Sequence, residues 1–343
     1  MPSFKKSICI PLLIILVTGI LCAGGQNEFS GGEWKPGKAI RIIVPWEAGS
    51  SVDQVTRIIA EELRKELGVR FTISNQSGAS GTTGTKNALN AKKDGYTWAA
   101  GMTADLATYK LLGLLDTNIQ DDWEIFLSVG NAGMIGVNAG SQYTAFDQLL
   151  ANFKENPGQI GVATAGQTSS GHVSMDVIRR YTGINYRLAS YDSGIAAVTA
   201  AASGEVPVTS QPASEQAELI KNGKIRPLAV LWENDMNLDG YGLIPSIKKT
   251  IPNFVFGLNY FGIFIPKGVP KEVISTVTRV WNEKIANSEE LKKYATGYGF
   301  IFAPAAGEDA QYKALWWYQR AAWLYFDLGK TKMSPNLVGI PRP

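Results

Sequence analysis

The chain has 343 residues, of which 45% are hydrophobic and 18% charged, a composition typical of a globular protein with about two domains. Its formal net charge is only +3 and no block of basic residues stands out, which argues against nucleic acid as a partner. The two cysteines, Cys9 and Cys22, both lie near the N-terminus, so the rest of the chain can form no disulfide.

The N-terminus has the pattern of an export signal. Lys5 and Lys6 precede an apolar stretch over 8–21, which is shorter than the roughly 20 residues of a membrane-spanning helix. We therefore expect residues 1–23 to be a signal peptide and the mature protein to be periplasmic. Cleavage just after this segment would give a soluble protein. Lipidation of Cys22 as the first mature residue would instead give a lipoprotein, whose only link to the membrane is this anchor.

Short apolar stretches then alternate with helical patterns. AIRIIV (39–44) predicts a buried strand, and the apolar residues from Val52 to Leu67 recur at helical spacing until Gly68. The other predicted strands lie at 69–75, 96–102, 133–138, 159–164, 184–189, 206–211, 225–231 and 260–266. The other predicted helices lie at 83–91, 104–113, 144–156, 170–181, 195–204, 217–223, 271–287, 288–296 and 307–327. This alternation predicts an α/β fold with parallel sheets and right-handed crossovers.

A junction near residues 115–132 divides the alternation, so we expect two sheets and two α/β domains. One domain would contain both ends of the folded chain, from residues 32–132 and 235–343. The other domain would consist of residues 133–234. A cleft between two such domains is where small ligands usually bind.

The stretch PWEAGSSVD (45–53) follows the first predicted strand and leads into the first predicted helix. Ligands of parallel sheets bind beyond the carboxyl ends of the strands. Ser50 or Ser51 can cap the helix, and Ser50 with Asp53 fits the S-x-x-D form of a capping box. Gly49 lets the backbone approach a ligand closely. The amides of the first helical turn and the helix dipole suit an anion.

Three further polar loops follow predicted strands, namely GASGTTG (78–84), MTAD (102–105) and TAGQTSSGH (164–172). Ordinary helix caps would explain any one of them, but four such loops together favour an anion site. GASGTTGTK lacks the GK[ST] of a P-loop, so nucleotide binding is not indicated.

The sequence argues against an enzyme. Its only histidine, His172, is too near Ser169 and Ser170 along the chain for a standard catalytic triad and is more typical of a structural hydrogen-bonding residue. No G-x-S-x-G elbow, H-E-x-x-H motif or Cys/His cluster is present. We therefore predict no catalytic residue, no metal and no cofactor.

Several blocks, in a specific order and spacing, resemble the solute receptors of tripartite tricarboxylate transporters, the Bug-type periplasmic solute-binding protein family. The resemblance covers about residues 38–325. Its blocks are IRIIVPWEAGSSVD (40–53), NQSGASGTTGTKNALNAKKDGYTW (75–98), DDWEIF (121–126), GQTSSGHVSMDVI (166–178) and SGEVPVTSQPASEQAELIKNGKIRPLAV (203–230).

The resemblance implies a type II-like periplasmic-binding-protein fold, a Venus flytrap in which a small carboxylate is held partly by backbone amides. In the first domain it implies three groups of ligand-binding residues: Trp46, Ala48, Gly49, Ser50 and Asp53; Gly78, Ala79 and Gly81; and Thr103. In the second domain it implies Thr168, Ser169 and Ser170, with His172 beside them, and Tyr191 and Gln211 towards the far end of the ligand.

The resemblance also implies the function. A monomeric, non-catalytic receptor would pass a di- or tricarboxylate, an aromatic acid or an amino acid to membrane permease subunits. A sensory receptor for a two-component kinase is the main alternative, and an exported hydrolase using Ser169 or Ser170 is a weaker one.

Some residues depart from the family pattern. Ser50 replaces a common second glycine, and Pro207 stands where aspartate is frequent. Glu47 adds a carboxylate to the anion loop, and Asp192 stands where a lysine or a neutral residue is frequent. These two acids are either solvated or pair with a positive group of the ligand, such as the ammonium of an amino acid.

Overall fold

The computed structural model describes residues 33–165 and 169–343. The predicted signal peptide over 1–23, the predicted lipidation site Cys22 and the predicted ligand-binding residue Thr168 lie outside the described residues.

The described chain is a mixed α/β structure, as the sequence predicts. In chain order, the strands are β1 (Ile40–Val44), β2 (Phe71–Asn75), β3 (Thr97–Met102), β4 (Trp123–Asn131), β5 (Gly133–Asn138), β6 (Gly161–Thr164), β7 (Arg187–Ser190), β8 (Val208–Pro212), β9 (Ile225–Val230), β10 (Met236–Leu238), β11 (Gly242–Ile244), β12 (Asn259–Pro266) and β13 (Ile301–Ala306).

The helices surround these strands. They are α1 (Ser51–Leu67), α2 (Thr82–Leu89), α3 (Thr103–Leu112), α4 (Ile119–Asp122), α5 (Phe146–Glu155), α6 (Ser170–Thr182), α7 (Gly194–Ser203), α8 (Ala213–Lys221), α9 (Lys271–Glu283), α10 (Glu289–Tyr298) and α11 (Gly307–Asp327). Gly68 ends α1 in a left-handed conformation, with its N–H donating to the Arg64 carbonyl, as the sequence predicts.

The residues that the structure describes form two large sheets, in agreement with the prediction. The first has the strand order β13-β4-β12-β3-β1-β2, and the second has the order β7-β6-β8-β5-β9. Strands β1–β4 of the first sheet come before the strands of the second sheet in the sequence, and β12 and β13 come after them. β10 and β11 form a separate hairpin. The exact domain bounds given above remain a prediction.

The predicted parallel pairing is present in part of each sheet. β1 is parallel to β2 and β3, and β6 is parallel to β7 and β8. β12 is antiparallel to both β3 and β4, and β5 is antiparallel to both β8 and β9. β5 is the first strand after the chain enters the second sheet, and β12 is the first after it returns to the first sheet. Both are antiparallel to their neighbours.

Two strands of the first sheet were not predicted from the sequence. β4 lies in the segment interpreted as a junction, because Ser128 and the Gly130–Asn131 pair interrupt its apolar pattern. The Ser128 hydroxyl is buried but donates to the Phe261 carbonyl at 2.9 Å. β13 contains Pro304, which is tolerated because β13 is an edge strand with an irregular register.

The two sheets are joined directly. β4 ends at Asn131 and β5 begins at Gly133, so only Ala132 lies between them. The Asn131 side chain donates to the Ser214 hydroxyl at 2.7 Å, and the Ala213 N–H donates to the Ala132 carbonyl at 2.8 Å. These bonds tie the beginning of α8 to the junction and position the loops at the ends of both sheets.

α6 lies very close to β8 at Gly171, the second residue of the helix. A β-carbon at this position would be 1.9 Å from the Ser210 carbonyl oxygen, which is backbone and cannot rotate away. We expect Gly171→Ala to lower the free energy of unfolding by about 1–3 kcal/mol or more, because α6 must shift. Denaturant unfolding of the purified variant measures this.

Gly297→Ala is the matched control for this experiment. Gly297 lies in α10, and a β-carbon there would meet no atom within 4 Å. Alanine should leave the stability unchanged or raise it by up to about 1 kcal/mol. Equal stability of the two variants would contradict the close approach of α6 to β8.

Candidate functional site

The first loop (residues 45–50) connects β1 to α1. Ser50 is the N-cap residue of α1, and its hydroxyl accepts a hydrogen bond from the Asp53 N–H at 3.3 Å. Gly49 has φ +85°, a conformation that favours glycine. The Ser50 N–H donates to the Glu47 carbonyl at 3.2 Å. The loop is therefore a tight turn that ends at the first amides of the helix.

Asp53 holds this loop in place. The residue is only 2% exposed, and its carboxylate accepts hydrogen bonds from the Gly49 N–H (2.8 Å), the Asn75 amide (3.0 Å) and the Arg57 guanidinium (2.9 and 3.1 Å). Burial alone would raise the pKa of Asp53, but the hydrogen bonds from Arg57, Gly49 and Asn75 outweigh it and lower the pKa. The charged carboxylate thus fixes the loop shape from within.

The predicted capping box is present in altered form. In the standard box the acidic side chain reaches back to the N-cap amide. Here Asp53 bonds the amide one residue earlier, that of Gly49, and also holds Asn75. The Asn75 amide in turn donates to the Trp46 carbonyl at 3.0 Å. Trp46 is therefore positioned by the same network.

The second loop (residues 78–81) connects β2 to α2. Ala79 and Ser80 have φ values of +46° and +55°, which L-residues rarely adopt and which store strain. The Tyr109 hydroxyl of α3 donates to the Ser80 carbonyl at 2.9 Å. A β-carbon on Gly81 would lie 2.6 Å from that hydroxyl and 3.3 Å from Trp46 Cζ2. Gly81 therefore lets the first loop, the second loop and α3 meet.

Thr103 begins α3 at the end of β3 and is fully buried. Its hydroxyl donates to Asn259 Oδ1 at 3.3 Å and accepts from the Tyr260 N–H at 3.1 Å. Asn259 Oδ1 also accepts the Ala104 N–H at 3.1 Å. In this structure the Thr103 side chain ties α3 to β12, with both of its hydrogen-bonding functions in use.

Asp105, in the first turn of α3, is the last residue of the predicted polar loop MTAD, but the sequence analysis assigned it no role of its own. The residue is partly exposed, but its Oδ2 is buried and has no hydrogen-bond partner in the described part of the chain. The indole Nε1 of Trp46 is likewise buried and unpartnered among these residues. Desolvation raises the pKa of Asp105 to about 7, although the nearby Trp46 N–H lowers it in part without reaching hydrogen-bond geometry.

The raised pKa has a consequence for stability. The pKa of the Asp105 carboxyl is 3.8 in the unfolded chain and about 7 in the folded protein, so the folded protein binds this proton more tightly. Proton binding therefore stabilises the fold at low pH, and this stabilisation is lost as the pH rises from about 4 to about 7. The Asp105 carboxyl faces the Trp46 indole and the hydroxyls of Tyr109 and Tyr325. These groups stay neutral over this pH range.

We therefore expect Asp105→Asn to gain stability relative to the wild type between pH 4 and pH 8, by up to about 4 kcal/mol at roughly 1.4 kcal/mol per pKa unit. Urea unfolding of both proteins across this range measures the difference. Parallel pH profiles would show that Asp105 titrates normally.

In the second sheet, Ser169 caps α6, and its hydroxyl accepts the His172 N–H at 3.2 Å. Ser170 is the first residue of that helix. The His172 ring lies 3.4 Å from the Tyr186 hydroxyl through Nδ1 and packs edge-on against Tyr186. Burial lowers the pKa of His172. These contacts give His172 a structural partner.

Gln211 and Glu215 form a second polar cluster. Gln211 is 1% exposed, and with its amide oriented to satisfy both atoms it accepts the Ala165 N–H (2.7 Å) and donates to Glu215 Oε2 (3.0 Å). A β-carbon on Gly194 would lie 1.8 Å from Glu215 Oε2, so this carboxylate lies against the beginning of α7. Glu215 is exposed as a whole residue. The protein packed around its carboxyl group nevertheless removes part of the water from it, and this desolvation raises the pKa of Glu215.

The described contacts place the predicted residues in two groups. Trp46, Gly49, Asp53 and Gly81 are linked around the ends of β1 and β2. Ser170 and Gln211 lie at the end of the second sheet. Ala48, Gly78 and Ala79 are exposed in their loops. The Tyr191 hydroxyl donates to Glu205 at 2.8 Å. Glu47 and Asp192 are both exposed.

A surface cavity of about 700 Å³ is unrelated to these groups. It lies between the C-terminal ends of α2 and α3 and contains Lys86, Asn90, Lys110 and Asp116 in its lining. None of the predicted ligand-binding residues lines it.

The fold is the α/β fold of solved solute-binding proteins. A TctC solute-binding protein from Polaromonas, solved without ligand, has a TM-score of 0.72 at 24% identity and covers 87% of this chain and 100% of its own. An R. palustris protein solved with adipate has a TM-score of 0.65 at 22% identity, with 86% and 98% coverage. Protein BugT of Bordetella pertussis is 26% identical over 288 residues, which are 83% of this chain and 87% of BugT.

The family model described as tripartite tricarboxylate transporter family receptor matches residues 55–315. The chain therefore belongs to this family, which confirms the resemblance recognised in the sequence and the periplasmic-binding-protein fold that it implies. Its members are periplasmic solute-binding proteins rather than enzymes, so the sensory and hydrolase alternatives are not favoured. Within the described residues, no helix combines the length and apolarity needed to cross a bilayer.

Proposed function

We propose that this receptor binds a small carboxylate outside the cytoplasmic membrane and delivers it, chemically unchanged, to the permease subunits of its transporter. The observation that carries this proposal is the first loop at the beginning of α1. The amides of Ser51 and Val52 are the first two of the helix and have no acceptor within it. The adjacent Gly49 turn and the helix dipole favour a carboxylate there.

The remaining predicted residues complete the proposed site. Gly78, Ala79 and Gly81 would bring backbone close to the ligand from the second loop. Gln211, and the loop that contains Thr168 and Ser169, would approach it from the domain that we assign to residues 133–234. The R. palustris neighbour solved with adipate supports a ligand with two carboxylates.

The proposal extends to the location of the protein. Residues 1–23 would direct export, and lipidation of Cys22 would hold the receptor at the membrane surface. The receptor would act as a monomer, since one chain supplies the loops of both sheets. Membrane fractionation of the wild type and Cys22→Ser tests the anchor, because only the wild type should sediment with membranes.

The ligand proposal is tested by calorimetric titration of the purified receptor with succinate, glutarate and adipate, and with the corresponding diamides as uncharged controls. We expect binding of one molecule of at least one dicarboxylate and no binding of the diamides. Native mass spectrometry of the protein as purified gives an independent identification of a bound acid. Equal affinity for acids and diamides, or turnover of ester substrates, would contradict the proposal.

A further inference from the structure

A smaller cavity, of about 230 Å³, lies between α6 and α11. α6 packs on β5 and β8 of the second sheet, and α11 packs on β4, β12 and β13 of the first, so elements of both sheets meet there. Ser170, at the beginning of α6, belongs to the proposed ligand site. Arg180, which lines the cavity, comes ten residues later, about 15 Å further along the helix. The cavity is therefore separate from the proposed ligand site.

Arg320 of α11 lines this cavity, and its guanidinium forms no ion pair with any described residue. One of its N–H groups donates to the Trp316 carbonyl of the same helix at 3.1 Å, and the Tyr181 hydroxyl lies beside it. Burial lowers the pKa of Arg320, and the like charge of Arg180 lowers it further although Tyr181 raises it, but an arginine stays charged in a protein. A guanidinium has five N–H donors, so most donors of this partly buried group have no acceptor in the described chain.

The charged side chains around the cavity carry an excess of positive charge. Arg179 and Arg180 share the buried Asp176, whose two oxygens accept hydrogen bonds from them at 2.6 and 2.7 Å. Asp327 accepts from Arg342 with both of its oxygens and from Arg180 at 3.4 Å. Together with the unpaired guanidinium of α11, four arginine side chains thus share two aspartates. A bound anion would offset this excess.

The chemistry and size of the cavity identify the class of anion. Guanidinium groups bind carboxylate and phosphate through parallel N–H donors. The Tyr181 hydroxyl accepts the Val255 N–H at 3.1 Å, and its own proton has no acceptor among the described residues, so it can donate to an anion. A volume of about 230 Å³ is below the roughly 300–1,000 Å³ of pockets for drug-sized ligands, so the anion must be small.

We propose that Arg320, Arg180 and Tyr181 form a second anion site, which takes a small oxyanion, a phosphate or a short carboxylate. The bound anion contacts α6 and α11 at once, so it stabilises the contact between elements of the two sheets. This site is independent of the proposed function.

The test measures the melting temperature of the purified receptor in sodium phosphate and in sodium acetate, each against sodium chloride at the same ionic strength. An anion that binds the folded protein raises its melting temperature as the anion concentration increases. We expect at least one of the two oxyanions to do so beyond the effect of chloride. The concentration dependence gives an apparent affinity for each, and the tighter of the two shows which oxyanion the site prefers.

Arg320→Gln removes the guanidinium and should weaken the apparent affinity by about tenfold to a hundredfold, because a charge-assisted hydrogen bond is lost. If this variant does not fold, Arg320→Lys replaces it. Lysine keeps the charge but lacks the planar fork, so the affinity should still fall by at least about threefold.

Arg41→Gln is the matched control. Arg41 is exposed in β1 and forms no ion pair in the described chain, so this variant removes the same charge outside the cavity. It should keep the wild-type affinity for the oxyanion. Ser51→Pro, which disrupts the proposed carboxylate site, should also keep it.

The outcomes separate the two proposals. If neither oxyanion exceeds chloride, or if Arg320→Gln responds as the wild type does, the second site is refuted and the carboxylate receptor stands. If Ser51→Pro loses the response and Arg320→Gln keeps it, the oxyanion binds at the first loop, which refutes the second site and supports the proposed function.

Discussion

Asp53→Ala is expected to weaken carboxylate binding by at least about thirtyfold and to lower the free energy of unfolding by about 2–4 kcal/mol. The buried carboxylate joins the Gly49 amide, the Asn75 side chain and Arg57, and alanine would leave the first two without their acceptor. The Gly49 turn would then no longer hold the first helical amides in one geometry. Calorimetric titration and urea unfolding measure the two effects.

Arg57→Ala is the control for the charge of this network. The Arg57 side chain is 53% exposed, so its ion pair with Asp53 is screened by water and contributes about 1 kcal/mol or less. Binding should change by less than about fivefold. If Arg57→Ala and Asp53→Ala lose binding equally, the loop depends on the ion pair rather than on the internal hydrogen bonds of Asp53.

Ser51→Pro is expected to weaken carboxylate binding by about tenfold to a hundredfold, because proline removes one amide donor of the first helical turn. The fold should tolerate the change. Ser51 is the first residue of α1, where proline is common, and Ser50 before it has φ −62° and ψ 159°, a conformation compatible with a following proline. The melting temperature should therefore stay within a few degrees of the wild type.

Ser51→Ala separates the amide from the side chain. The Ser51 hydroxyl lies beside that of Tyr294, and its loss could itself affect the loop. Alanine removes the hydroxyl but keeps the amide, so its affinity should remain within about threefold of the wild type. If both variants bind normally, the carboxylate does not lie at the beginning of α1 and the first loop is only a helix cap.

The sequence predicts much of the fold because burial and periodicity act locally. β1 lies between two parallel neighbours, and Ile40, Ile42 and Ile43 are fully buried, so its sequence is an apolar run of the kind found in central strands. β4 and β13 could not be predicted in this way. β4 can contain Ser128 because its hydroxyl bonds to β12, and β13 can contain Pro304 because it is an edge strand. Both features depend on the tertiary structure and leave no pattern in the local sequence.

The site shows the same division. Ser50 and Gly49 have local roles, in capping and in a turn with positive φ, and both were predicted. Asp105 had no comparable signal, since the chain contains 30 acidic residues and an acid in a first helical turn is ordinary. Its distinguishing property is its surroundings. Trp46 and Tyr325 lie far from it in the sequence, and Tyr109 lies one turn further along the same face of α3.

The position of β12 also determines the order in which the protein can be completed during synthesis. β12 lies between β3 and β4, yet every strand of the second sheet precedes it in the sequence. The second sheet can therefore form on a growing chain while β3 and β4 still have unpaired edges. Such edges are templates for association with other chains, so the nascent first half needs protection until β12 has been made.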